Sequence, residues 1–422
     1  MKALVYHDSA ARWVACKLAG LITRQAFYGP LAPLKLADLP RPELPGPEWV
    51  RLKTLLGGIC GTDLALIAQR VHPGSMLSIC SRFPTVLGHE NAAVIDQTGD
   101  AATDWRPGQR VCVEPATGCR ARGQDPPCRE CAAGRPSLCQ HVGDGPLPPR
   151  ALIGLNPLTG GSWAEYFVAH RSQLFAVPDS LSSDAAVLVD PIASAAHAVL
   201  RRRPQPGESV LVNGSGIIAL GIVASIRALG HENRITLTAR HAFQAELARQ
   251  AAAPDLTARN TACGLDVLLI PPDCSKRERF EIVARHVGGK RLAGRFGNQM
   301  LVGGFDLTFD CSGTGEGFTD ALKWTRPRGT VVAVGTSGIT LLETTPIWFD
   351  ELSIIGANGR QIESAEGHAR HTYALVLEWL ASGRVNLSAF PVTRYALTDY
   401  RRAFGDLLSR GRHGIVKAAF QP

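Results

Sequence analysis

At 422 residues the chain is too long for one hydrophobic core, so two domains are expected. Apolar residues at 45% and charged residues at 19% are ordinary for a globular enzyme, and no low-complexity tract occurs. The net charge of +8 comes from 45 basic and 37 acidic residues that are scattered except for Arg201-Arg202-Arg203, which argues against nucleic-acid binding and suits an anionic dinucleotide.

Taken in chain order, Met1–Tyr6 reads as a short strand, and Asp8 and Arg12 interrupt any apolar signal core. Up to about residue 187 the chain is rich in Gly and Pro, with β-type runs such as Trp49–Leu55 and Asn91–Ile95, which predicts a mostly β domain with long loops. The texture changes after Pro204-Gln205-Pro206-Gly207. Ser209–Val212 reads as a strand and Ile217–Leu229 as a helix closed by Gly230. Strands (Arg234–Thr238, Val267–Ile270, Asp306–Phe309, Thr330–Val334) then alternate with helices (Ala242–Ala252, Phe318–Trp324), which predicts βαβ units and a parallel doubly wound sheet over residues 188–356. Gly288–Asn298 reads as an inserted loop. Over residues 357–422 a helix (Tyr373–Ser382) and short strands are expected to return to the first domain.

The longest apolar run, Ile217–Ile226, is about half of what spans a bilayer, so no membrane segment is expected. Eleven cysteines without an export signal point to a reducing compartment, the cytoplasm, where clustered thiols mean metal or catalysis.

Three groups of residues carry chemistry. Cys119, Cys128, Cys131 and Cys139 can close a tetrahedron of thiolates around one zinc, replacing the core that a loop of Arg, Gly and Pro lacks; a disulfide-linked loop or free thiols are the plainer alternatives. Cys60, His89 and Asp190, from Gly58–Asp63, Gly88-His89-Glu90 and Val189-Asp190-Pro191, offer a thiolate, an imidazole and a carboxylate, which leaves a fourth zinc position open. Taken singly, a lone Cys or His is more often a packed residue, and Asp before Pro a turn residue. Third, the strand Val210–Val212 runs through Asn213-Gly214-Ser215-Gly216 into the apolar helix beginning Ile217-Ile218-Ala219. That arrangement lets the backbone and a helix N-terminus approach a pyrophosphate, although it is also found in ordinary Gly-rich turns.

In this order, and with Gly161–Tyr166, Asp310-Cys311-Ser312-Gly313, Gly329–Gly335 and Gly411–Phe420, these motifs resemble the zinc-containing medium-chain alcohol dehydrogenases over nearly the whole chain. The resemblance implies a GroES-like catalytic domain (1–187, with the four-cysteine lobe), a Rossmann domain (188–356), a C-terminal return (357–422) and a site in the cleft between the domains. It implies Cys60, His89 and Asp190 as catalytic-zinc ligands and Glu90 as a neighbouring or exchanging ligand. It also implies Thr62 as the hydroxyl that shuttles the substrate proton, and Asp63 with Lys417 as an acid–base pair near the cofactor. Gly214, Ser215, Gly216, Ile217, Ile218, Cys311, Gly335 and Lys417 would line the dinucleotide. Two zinc ions per subunit are implied, together with a small alcohol or carbonyl substrate and a homodimer or homotetramer paired near Thr330–Ile339.

The sequence departs from the family pattern in three respects. Ala65 stands where relatives carry a relay histidine. Eight residues, rather than the usual two, separate Cys119 from Cys128. Extra sequence occurs around Asp8–Tyr28, Gly143–Gly160 and Arg277–Gly303. The strand Arg234–Thr238 ends in Ala239-Arg240-His241 with no carboxylate at its tip, so the ribose ligand of NAD enzymes is missing; Arg240 and His241 instead suit a 2′-phosphate, which predicts NADP(H). The expected function is zinc-dependent hydride transfer between NADP(H) and an alcohol, aldehyde or ketone. Reduction of an activated alkene or iminium, and a non-catalytic dinucleotide-binding protein, are the alternatives.

Overall fold

The computed structural model describes residues 1–7, 9–149, 152–253, 264–335 and 338–422. Asp8 and residues 150–151, in two of the expected insertions, lie outside the described residues, as do 336–337 of the expected pairing edge. Among the described residues no helix is long and apolar enough to cross a membrane.

The later part of the chain builds a six-stranded sheet in the order Leu265–Leu269, Ile235–Ala239, Val210–Asn213, Phe305–Asp310, Thr325–Ala333, Ser353–Gly356. Every adjacent pair is parallel, and the first strand in sequence lies at the centre, which is the doubly wound arrangement. Helix Ile217–Ala228 is apolar almost all round because it packs both on this sheet and on helix Val189–Arg201. The edge of the sheet lies one strand beyond the expected Thr330–Ile339: Ser353–Gly356 covers Thr325–Ala333.

The first part of the chain forms a mostly antiparallel sheet around the long strand Trp49–Ile59, which pairs with Glu90–Thr98 and Tyr166–His170. The C-terminal strand Lys417–Gln421 pairs with Gly57–Ile59, at the C-terminal end of Trp49–Ile59, and in parallel with Val392–Ala396. Helix Thr372–Ala381, expected with this return, instead shares the core of helices Val189–Arg201 and Ile217–Ala228 through Leu375, Val376 and Trp379, so the chain rejoins the β sheet only at Val392.

The expected loop Gly288–Asn298 is most of a β-hairpin, Lys290–Ala293 against Gln299–Val302, that follows an unforeseen helix, Lys276–His286. That helix is rich in charge and buries only Phe280, Val283 and Ala284, so its apolar period is faint. Its signal was the capping box Ser275…Glu278. The N-terminal insertion holds a helix, Ala10–Ala19, capped by Ser9.

Candidate functional site

Three sequence motifs meet at the C-terminal end of Trp49–Ile59. A Cβ on Gly58 would lie 2.4 Å from Glu90 Oε2, so only glycine lets Glu90 settle over this strand. Trp163 Nε1 donates to the Gly58 carbonyl at 2.9 Å, and Ser162 Oγ donates to the Glu90 carbonyl at 2.8 Å. Cys60 caps helix Gly61–Ile67, and its N–H donates to Asp63 Oδ2 at 2.9 Å. The other Asp63 oxygen lies 3.5 Å from His89 Nδ1. One buried carboxylate thus fixes the backbone of one candidate ligand and the ring of another, which leaves His89 Nε2 free to ligate. The Thr62 hydroxyl lies 3.7 Å from Cys60 Sγ.

The ligand atoms of Cys60, His89 and Glu90 lie within 4.8 Å of one another. Soft, borderline and hard donors at that spacing fit one zinc ion. Burial opposes the charge on His89, yet the Asp63 and Cys60 charges raise its pKa well above the ordinary value. Burial likewise raises Glu90 despite the pull of Lys417 and His89.

Two expected roles are placed differently. Asp190 lies outside this set. Its Oδ2 is 2.7 Å from the Tyr373 hydroxyl and 3.1 Å from Arg360 Nη2, in the first turn of helix Val189–Arg201. A buried guanidinium and a phenol hold the short carboxylate, and the third donor of the set is an oxygen of Glu90. Lys417 does not pair with Asp63 either. It is 1% exposed, it contacts Glu90 Oε2, and it lies 3.3 Å from the Ile59 carbonyl, because the register of its strand sets it beside that end of Trp49–Ile59. Arg360, Tyr373 and Glu114, 3.7 Å from Arg360, had not been singled out. They are distant in sequence and belong to no local motif.

Cys119, Cys128, Cys131 and Cys139 also gather their sulfurs within 4.8 Å. Cys119 and Cys139 sulfurs are 3.6 Å apart, far beyond a disulfide bond. Backbone N–H groups of Cys128, Cys131 and Gln140 point at sulfurs from 3.3 to 3.5 Å, the pattern that stabilises thiolates. Burial works against ionisation of Cys128, but the N–H groups of Gln140 and Cys131 bring it down to about 6. This donor set fits a closed zinc site.

At the sheet, Gly214 lies in the left-handed region (φ 120°) and gives its N–H to Thr238 Oγ1 at 2.8 Å. Gly216 begins helix Ile217–Ala228 without a side-chain cap, so the first-turn N–H groups of Ile217 and Ile218 are available to an anion, next to Ser215. Cys311 packs against Gly214, and the Gly335 N–H donates to the Asp310 carbonyl at 2.8 Å, so both border the same crevice at the strand ends. This glycine-bordered turn, with no side-chain cap on the helix, fits a dinucleotide. At the tip of Ile235–Ala239, Gln244 Oε1 accepts the N–H groups of Arg240 (3.1 Å) and His241 (3.2 Å), and the Arg240 side chain is exposed.

Comparison with known proteins agrees with this architecture. The alcohol dehydrogenase GroES-like domain matches residues 46–179 and the zinc-binding dehydrogenase domain residues 293–382. The chain is 30% identical to an L-threonine 3-dehydrogenase of Streptomyces avermitilis, covering 91% of this chain and 95% of that one. It is 28% identical to an L-idonate 5-dehydrogenase of Vitis vinifera, covering 90% of each. A zinc-binding dehydrogenase of Sinorhizobium meliloti 1021, solved bound to NADP, shares the fold with a TM-score of 0.67 and 24% identity over 92% of this chain and 96% of that one.

Proposed function

Because the chain belongs to the zinc-containing medium-chain dehydrogenase/reductase family, we propose that it moves a hydride between NADP(H) and the carbon of a small alcohol, aldehyde or ketone at Cys60, His89 and Glu90. The observation that carries this reading is the convergence of those three donors beside the Thr62 hydroxyl. A zinc ion held there supplies Lewis acidity to the substrate oxygen, and the nicotinamide supplies or accepts the hydride. Asp63 keeps the His89 ring oriented. Lys417 offsets the buried charge of Glu90, and Thr62 holds the proton of the substrate oxygen. With Ala65 beyond it, Thr62 exchanges that proton without a histidine relay. Asp190, tied to Arg360 and Tyr373, braces the wall of the cleft. The four-cysteine lobe would take a second, structural zinc.

The NADP choice rests on Ala239-Arg240-His241: no carboxylate repels a 2′-phosphate, and an exposed guanidinium is free to fork onto it. The names of the relatives, threonine and idonate dehydrogenases, make small polar secondary alcohols the first panel to test. Steady-state kinetics with that panel and both cofactors test the reading. A kcat/KM with NAD(H) equal to or above that with NADP(H) would overturn the cofactor assignment. Full activity and full zinc content in Cys60→Ala would overturn the site.

A further inference from the structure

The segment Arg410–His413 of the β domain folds against the tip of the second Rossmann strand. A Cβ on Gly411 would lie 2.3 Å from His241 Nε2, so the two domains touch directly where Arg410 and Arg240 adjoin that contact in sequence. Arg70 follows helix Gly61–Ile67, close enough for its charge to act on Arg410. Enclosure by the cleft walls, then the charges of Arg70 and Arg240, hold Arg410 below its ordinary pKa, although its side chain keeps solvent contact. Among the described residues, none of these three guanidinium groups has a carboxylate or hydrogen-bond partner. Like charges gathered without a counter-charge oppose folding unless a ligand supplies it. Next to Arg70, Gln69 stands in the left-handed region (φ 51°), is 2% exposed, and has neither side-chain amide atom bonded.

The N-terminal insertion braces both β-domain arms of this cluster. Lys17, in the last turn of helix Ala10–Ala19, donates to the Gln69 carbonyl at 2.9 Å, and Arg24 Nη1 donates to the Leu408 carbonyl at 3.1 Å. The segment therefore ties the chain just before Arg70 to the chain just before Arg410.

We propose that Arg70 and Arg410 join Arg240 in one anion site spanning the two domains, which takes the 2′-phosphate of the dinucleotide, with Lys17 and Arg24 as positioning residues. This deepens the NADP assignment above and rests on it. The test is calorimetric titration of the full-length protein with adenosine 2′,5′-bisphosphate and with ADP. The unmodified protein is expected to prefer the bisphosphate. Arg410→Met and Arg70→Met should each weaken bisphosphate binding by about tenfold or more, as for a lost hydrogen bond to a charged group, and ADP binding by less than about threefold. Arg24→Met should give a smaller loss with the same selectivity for the bisphosphate. If Arg240→Met abolishes the preference while Arg410→Met and Arg70→Met keep it, the site is confined to the Rossmann strand and this inference fails while the cofactor reading stands. A preference of the unmodified protein for ADP would overturn both.

Discussion

Burial pushes the Glu114 carboxyl up to about 8, against the charge of Arg360 and the N–H of Ala116. The folded chain therefore keeps this proton over a range in which the unfolded chain, titrating near 4.3, has lost it. That contribution to stability is complete below about pH 4 and is lost as pH rises to about 8, because the unfolded state binds fewer protons throughout. Glu114→Gln cannot ionise, so its melting temperature should match the parent near pH 3.5 and exceed it increasingly up to pH 8.5. A difference that stays constant across that range would refute the assignment. Thr62 invites a kinetic test: Thr62→Ala should lower kcat for alcohol oxidation by about two orders of magnitude, as for a positioned proton-transfer group, and Thr62→Ser only mildly. An unaffected Thr62→Ala enzyme would deny Thr62 that part. Cys60 and His89 were legible in the sequence because each sits inside a short motif with glycines for close approach. The partners of Asp190 were not, since Arg360 and Tyr373 arrive from about 170 and 183 residues away.

The four-cysteine lobe shows how an element with little core is held. Arg122 is 1% exposed, and its guanidinium donates to the carbonyls of Thr117 (2.9 Å), Leu147 (3.1 Å) and Pro148 (2.7 Å). It thus fastens the segment beyond Gly143 to the start of the lobe and places a cation beside the thiols. The eight residues between Cys119 and Cys128 include this arginine, which gives the unusual spacing a physical use. Arg122→Met should destabilise the protein by roughly 3 kcal/mol or more, because several buried carbonyls lose their donor. Denaturant unfolding would measure it, and a loss under 1 kcal/mol would deny Arg122 this role. Cys131→Ala should lose one of two zinc ions and melt earlier, and a chelator should then produce little further change at this lobe. Two zinc ions retained in that variant would refute the closed site. Ala242–Ala252 was read to the residue, whereas Val189–Arg201 and Tyr400–Leu407 were not read as helices despite clear apolar faces. Lys276–His286 escaped because its buried face is only three residues wide.

At the scale of the whole molecule, the parallel sheet ends at Ser353–Gly356, whose outer side pairs with no other strand among the described residues. Around it, Ile354, Trp348, Phe349 and Leu341 are exposed, large and apolar. An edge strand flanked by such side chains is a template for pairing, and a two-fold axis through it satisfies both copies at once. The same surface would aggregate if it stayed bare, and a net charge of +8 spread over the chain is a weak safeguard. The protein is therefore expected to run as a dimer, or a tetramer built from such dimers, with the sheet continuous across Ser353–Gly356. Light scattering should give at least twice the chain mass of 45.1 kDa. Ile354→Lys places a charge on that edge and should yield monomers that keep the four-cysteine zinc, since the lobe lies in the other domain. A monomeric parent protein at micromolar concentration, or an Ile354→Lys variant still fully dimeric, would show that pairing does not use this strand.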